Sequence, residues 1–303
     1  MHKTEITRRQ FLAGTAAAAG TVLLSSCTLQ PSGKMAKRTA ADQVTLGKTG
    51  LRLSRLGIGT GSNGGSIQRR LEREEFNRLV RYAYDQGITY IDTAQSYNTH
   101  EWVRDAIKPL PREKLFIQTK MHKNTEKPLE VLDRFRKELN TDYLDSVLVH
   151  CAVTKNWDEE QKIMLEAFEE AKDKQIIRAH GVSCHSLPAL SRAAQLDWVD
   201  VHLVRINPQG AHIDTPVERW NAKSDASHVP AVMEQIRAMH RKHHGIIGMK
   251  IIGNGDFTDP ADREKSIRFA MQCGLLDAIV IGFKSTAEVD EAIRRINSAL
   301  AAT

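Results

Sequence analysis

From Val44 onward, short apolar stretches rich in β-branched residues alternate with longer stretches in which apolar positions recur every three to four residues. An apolar run without polar alternation is the pattern of a strand covered on both faces, whereas the longer period marks a helix with one buried stripe. On this reading strands fall at residues 56–59, 89–92, 115–120, 146–150, 179–182, 201–204, 246–249 and 278–281. Helices follow them at 73–85, 100–107, 128–139, 158–174, 187–196, 229–243, 261–273 and 286–300. In the fourth helix Met164, Leu165, Phe168 and Ala171 share the inward stripe, while Glu159, Glu160, Glu169 and Glu170 face water. Regular alternation predicts parallel βα units, and eight of them between residues 43 and 303 fit a closed (β/α)8 TIM barrel of the α/β class better than an open sheet. The first strand is not followed by G-x-G-x-x-G, the turn on which a Rossmann domain seats its dinucleotide. Ahead of that strand, QVTLGKTGLRLS reads as a hairpin turning at Gly47 to Gly50 and plugging the barrel floor, within a single domain.

The first 27 residues have a different pattern: a charged start, Thr7-Arg8-Arg9-Gln10-Phe11-Leu12, then a short run of Ala and Leu. That layout is a signal peptide, too short for a comfortable membrane span. Its paired arginines followed by Phe-Leu resemble the twin-arginine export signal, and Leu23-Leu24-Ser25-Ser26-Cys27 resembles a lipobox. The expectation is therefore an exported, periplasmic or cell-envelope protein held on the membrane by a lipid anchor at Cys27; ordinary cleavage near a small residue is the alternative. Residues 28–42, with Pro, Ser, Gly, Lys and Ala, read as a flexible tether.

Composition narrows the chemistry. The formal charge of +6 comes from Lys and Arg interleaved with Asp and Glu rather than from a basic block, so no nucleic-acid partner is indicated. Cys27, Cys151, Cys184 and Cys273 lack C-x-x-C spacing, and no metal site is expected. His100, His185, His202 and His212 read as polar loop or surface histidines.

In barrels of this kind the working residues stand at the C-terminal ends of the strands. Asp92 ends the second strand, Tyr97 lies in the loop after it, Lys120 ends the third, and His150 ends the fourth.

With LGKTGLRLSRLGIGTG at 46–61, GITYIDTAQSYNTHE at 87–101, YLDSVLVH at 143–150 and GVSCHS at 181–186, the chain resembles the aldo-keto reductase family. The resemblance implies Asp92, Tyr97, Lys120 and His150 as the catalytic tetrad and a nicotinamide cofactor, NADP rather than NAD by virtue of Lys284. Reduction of a carbonyl by hydride needs a proton donor at the developing alkoxide, and a phenol of ordinary pKa about 10 is a reluctant one. On the implied roles an ammonium at Lys120, oriented by Asp92, is expected to lower the Tyr97 pKa, with His150 directing the carbonyl oxygen. It also implies cofactor contacts from Gly59, Thr60, Gly61, Asp92, Ser183, Cys184, Met249, Lys250, Gly282, Lys284, Ser285 and Glu291. The substrate would be a small-molecule carbonyl or sugar, reduced to its alcohol or formed from it. Departures from the family pattern fall on the cofactor side. Cys184 stands where Asn is common, Leu203 where Gln is usual, and Met249 where an aromatic ring stacks on nicotinamide; Ala292 replaces an Asn, and Lys250 is new. A slow-turnover, nucleotide-holding redox sensor or scaffold lipoprotein is the second reading, and a barrel lyase, epimerase or hydrolase the third.

Overall fold

A computed structural model describes residues 38–302. The signal segment, Cys27 and residues 28–37 of the tether lie outside the described residues. An antiparallel hairpin, β1 (Gln43–Thr45) and β2 (Arg52–Ser54), precedes the parallel strands β3 (Leu56–Gly59), β4 (Tyr90–Asp92), β5 (Phe116–Met121), β6 (Ser146–Ala152), β7 (His180–Cys184), β8 (Val201–Arg205), β9 (Gly245–Met249) and β10 (Ala278–Gly282). These eight close on themselves, because β10 pairs in parallel with β3 from Ile279 opposite Leu56 to Gly282 opposite Gly59. The sheet is the predicted (β/α)8 barrel. Its helices are α1 (Ser66–Arg69), α2 (Arg73–Asp85), α3 (His100–Ile107), α4 (Pro128–Leu139), α5 (Trp157–Glu160), α6 (Lys162–Asp173), α7 (Leu187–Gln195), α8 (Val229–Arg241), α9 (Pro260–Gln272) and α10 (Thr286–Ala301).

Two apolar clusters divide the core. Strand residues of one parity, among them Ile91, Ile117, Val147 and Val182, meet the helices, whereas Tyr90, Phe116, Leu148, Val201 and Ile247 fill the lumen. Leu46, Leu51 and Leu53 of the hairpin belong to the lumen cluster. The floor is thus closed by β1 and β2, as the turn at Gly47 predicts. Gly47 has φ +47, and a Cβ there would meet the Gly245 nitrogen at 2.3 Å, so the plug fits only without a side chain at that position. Its N–H donates to Asp277 Oδ2 at 3.1 Å, the oxygen that also accepts from Ile246 N at 2.9 Å.

Three expectations need correction. Residues 39–42 are packed rather than part of a loose tether: Ala40 is fully buried, its N–H donates to Asn297 Oδ1 at 2.8 Å, and its carbonyl accepts from Leu56 N. The helix expected at 158–174 is broken at Gln161 into α5 and α6. There the side chain is buried and its amide bonds Asn124 in the loop after β5, a tertiary demand that periodicity does not reveal. Finally, His100 and His202 are buried. His100 bridges Glu138 Oε2 at 2.6 Å and Thr119 Oγ1 at 2.8 Å.

His202 stacks on His244, with ring centroids 5.0 Å apart and Nε2 to Nδ1 at 2.8 Å. Burial, reinforced by neighbouring cations, pushes His202 well below the ordinary histidine range and His244 down to about 4. Both rings are therefore neutral in the fold and take up protons more readily in the unfolded chain. Stability is full above the unfolded value near 6.5 and is lost as pH falls from there toward about 4. Lowering the pH from 7 to 5 is expected to remove roughly 2 kcal/mol through His244 alone, lowering Tm by several degrees in thermal denaturation. An unchanged Tm would show that the pair is not held neutral.

Candidate active site

Because the barrel strands are parallel, their C-terminal ends share one rim. Asp92, Lys120, His150, Ser183, Arg205, Met249 and Gly282 all stand at or next to those ends. Lys120 is fully buried, and its ammonium donates to Asp92 Oδ1 and Oδ2, both at 2.7 Å, and to the Thr93 carbonyl at 2.8 Å. Burial works against the charged lysine, but Asp92 and then Tyr97 outweigh it, so Lys120 is held above its ordinary range. Gln118 Nε2 donates to Asp92 Oδ1 and to the Tyr90 hydroxyl, each at 2.9 Å, which carries the polar chain down into the lumen. Gln118 Oε1 and Ser146 Oγ, in register on β5 and β6, have no protein partner.

The loop after β4 is set by a chain of hydroxyls. Thr99 Oγ1 lies 2.8 Å from Thr60 Oγ1 and 2.9 Å from Thr93 Oγ1, and Thr60 also donates to the Asp92 carbonyl at 3.1 Å. Tyr97 closes a short 3₁₀ turn, Gln95–Tyr97, with Asn98 behind it in the left-handed conformation. Its ring lies against Gly61, where a Cβ would come within 2.4 Å of the ring and 2.8 Å of the hydroxyl, and Arg69 donates to its carbonyl. The Lys120 ammonium is 4.9 Å from the ring centroid.

The expected lowering of the Tyr97 pKa is not what results. Burial of the phenol raises it more than the Lys120 charge lowers it, and the net direction is upward. Tyr97 is therefore a phenol, the form that can give a proton. His150 meets Tyr97 edge to face at 5.6 Å between centroids, and its Nδ1 is 3.3 Å from Ser96 Oγ. Burial, then the charges of Lys120, His122, Lys123 and Lys250, holds it well below the ordinary range, so the ring is neutral. In the tautomer in which Ser96 donates to Nδ1, Nε2 bears the proton and is a donor.

Of the residues assigned to a cofactor, Ser183 faces the lumen side, with Oγ 3.3 Å from His185 Nε2. His185 is half-buried, 6.4 Å from the His150 ring, rather than a surface residue; its Nδ1 has no partner. Met249 is half-buried against the lumen cluster, and Leu203 lies within that cluster. Gly59 and Gly282 pair where β3 meets β10, and a side chain at Gly282 would collide with Ser62 Oγ at 2.0 Å. Lys250, with φ +61, donates to Asn254 Oδ1 at 2.9 Å, and burial, then Arg205 and Lys120, push it down to about 8. Ser285 caps α10, and Lys284 is exposed beside it.

Two of the assigned residues point elsewhere. Cys184 is buried in the cluster between sheet and helices, one residue out of step with the lumen face. Glu291 accepts from Arg263 Nε at 2.8 Å and Arg295 Nε at 2.9 Å in an ion-pair group on α9 and α10. Gln118, Thr99 and Arg69 were not singled out by sequence, because each acts through another side chain or backbone group rather than at a strand end.

Residues 55–296 match the Aldo/keto reductase family model. A Bacillus subtilis aldo-keto reductase, YhdN, is 31% identical over 168 residues, 48% of this chain and 48% of its own. The NAD/NADP-dependent indole-3-acetaldehyde reductase of Schizosaccharomyces pombe is 31% identical over 150 residues, 46% of this chain and 52% of its own. The chain spans about half the length of these curated relatives. Among solved structures, an aldo-keto reductase from Bacillus halodurans superposes with TM-score 0.66 at 16% identity, covering 86% of this chain and 95% of that one.

Proposed function

The chain belongs to the aldo/keto reductase family, and from that premise we propose that it is an NAD(P)H-dependent oxidoreductase interconverting an aldehyde, ketone or sugar-like carbonyl and its alcohol. The observation that carries the reading is the buried Lys120–Asp92 pair 4.9 Å beneath the ring of Tyr97, with the neutral His150 at its edge.

The rim from β7 to β10 suits a nicotinamide cofactor. Ser183 offers a hydroxyl, His185 Nδ1 an unpartnered buried nitrogen, Met249 a polarizable face, and Lys284 a cation at a helix N-terminus. When bound, the cofactor supplies the hydride that ends on the carbonyl carbon. Tyr97 gives its phenolic proton to the carbonyl oxygen, and Lys120 stabilises the phenolate left behind. Asp92 and Thr93 fix the ammonium, and His150 Nε2 orients the same oxygen. In the reverse direction each transfer runs backwards.

NADP is favoured by Lys284, although Glu288 already meets that residue: the Lys284 N–H donates to Glu288 Oε2 at 2.7 Å, and the ammonium is 3.7 Å from Oε1. A 2′-phosphate must share these donors with a carboxylate. Lys284→Ala is expected to weaken NADPH binding roughly fivefold while leaving NADH binding unchanged. Fluorescence titration with both nucleotides checks this, and equal changes would remove Lys284 from phosphate recognition.

Addition of a carbonyl panel to the same samples tests the activity. Repeated turnover supports the reductase; tight binding without consumption across the panel would favour the nucleotide-holding scaffold. We also propose export by the twin-arginine route and lipid anchoring at Cys27, supported by Arg8, Arg9 and the Leu-Leu-Ser-Ser-Cys run.

A further inference from the structure

The loop after β5 is exposed yet firmly held. His122 N donates to Gln95 Oε1 at 3.1 Å on one side, and Asn124 N donates to Gln161 Oε1 at 2.7 Å on the other. Gln161 returns a bond from Nε2 to Asn124 Oδ1 at 2.9 Å, and Thr125 Oγ1 donates to the His122 carbonyl at 2.7 Å. Lys123 stands between the two pins, so its stem leaves from a fixed backbone. Pinning reduces the ordering that a ligand contact would otherwise have to supply.

The charges around the rim are unequally matched. Lys120 faces Asp92, and Arg205 faces the buried Asp214, with Nε and NH2 at 2.8 and 2.6 Å from Oδ1. Asp256, the remaining carboxylate acting on Lys250, is engaged by His212 at 2.7 Å. Lys250 has the neutral Asn254 amide oxygen as its bonded partner, and Lys123 forms no ion pair among the described residues. Lys250 and Lys123, on loops that follow β9 and β5, thus have no bonded carboxylate of their own among the described residues. They occupy different sides: Lys250 follows Met249 on the cofactor rim, whereas Lys123 follows His122, whose ring is 6.4 Å from His150. The Lys123 charge is also felt at His150 and Cys151, at the end of β6.

We propose that the substrate carries an anionic group, a carboxylate or a phosphate, and that Lys123 on its pinned loop beside His150 receives that group while Tyr97 and His150 hold the carbonyl. This rests on the reductase reading and adds the substrate class to it. An anion at this point meets a preset positive field, which helps a charged substrate over its neutral counterpart.

The test compares matched pairs, 4-oxobutanoate with its methyl ester and glyceraldehyde 3-phosphate with glyceraldehyde, using NADPH and the full protein. Wild type is expected to prefer one anion over its neutral partner by about tenfold in kcat/KM, and whichever pair shows it identifies carboxylate or phosphate. Lys123→Ala should lose roughly threefold to fivefold on that anion through KM, Lys123→Glu more, and Lys123→Arg little, with the neutral partner and NADPH affinity unmoved. Equal treatment of charged and neutral partners by wild type overturns the proposal. So does a Lys123→Glu effect shared by both partners, or one that appears in NADPH binding, which would give Lys123 to the cofactor. Failure to reduce any carbonyl, neutral ones included, would overturn the reductase reading itself and this inference with it.

Discussion

Tyr97→Phe should lower kcat by about 10²- to 10⁴-fold, the range associated with removing a positioned general acid, while cofactor affinity stays within a factor of two. The substitution deletes one oxygen and leaves the devices that place the ring. Arg69 still holds the backbone carbonyl, Gly61 still leaves room for the ring face, and Asn98 still turns the chain behind it. A loss confined to turnover therefore reports on proton transfer rather than on a displaced loop. Steady-state rates beside a cofactor titration separate the two. Unchanged turnover would sink the assignment of Tyr97 as the acid, and a matching collapse in cofactor binding would make it a structural residue.

Lys120→Met is expected to be costly in a different way. Asp92 is 5% exposed, and the substitution would leave it and the Thr93 carbonyl without the ammonium that satisfies both. Removing one member of a buried pair typically costs about 3–5 kcal/mol, which for a chain of this size lowers Tm by roughly 10 °C. Turnover should fall as well, since a phenolate at Tyr97 would lose its neighbouring cation. The double change Asp92→Leu with Lys120→Met separates these losses. Without an orphaned carboxylate, thermal stability should largely return, but turnover should not. A single variant as stable as wild type would mean that Asp92 finds compensation from Gln118 alone.

The strand ends were legible because a strand buried on both faces stays apolar until it leaves the barrel, so Asp92, Lys120 and His150 interrupt their runs visibly. The hairpin was legible from its turn residues. What lay hidden was anything set by a partner distant in the chain. His202 meets His244, 42 residues away, and His100 meets Glu138, 38 residues away; a single histidine has no period to betray such burial. The break at Gln161 answers to Asn124 rather than to its own helix. Cys184 shows the limit of reasoning from position in a motif, for strand parity sends it outward while Ser183 faces the lumen. Tyr97 shows the limit of reasoning from one neighbour: the lysine was anticipated correctly, but the desolvation that outweighs it depends on the packed loop.

Leu46, Leu51 and Leu53 of the hairpin, packed into the lumen cluster, make the barrel a well with a closed floor. The unpartnered Gln118 and Ser146 oxygens lie in register on the strands that carry Lys120 and His150 to the opposite rim. On the proposed function, a cofactor and substrate seated at that rim would lie over this inner polar chain and shield it from solvent.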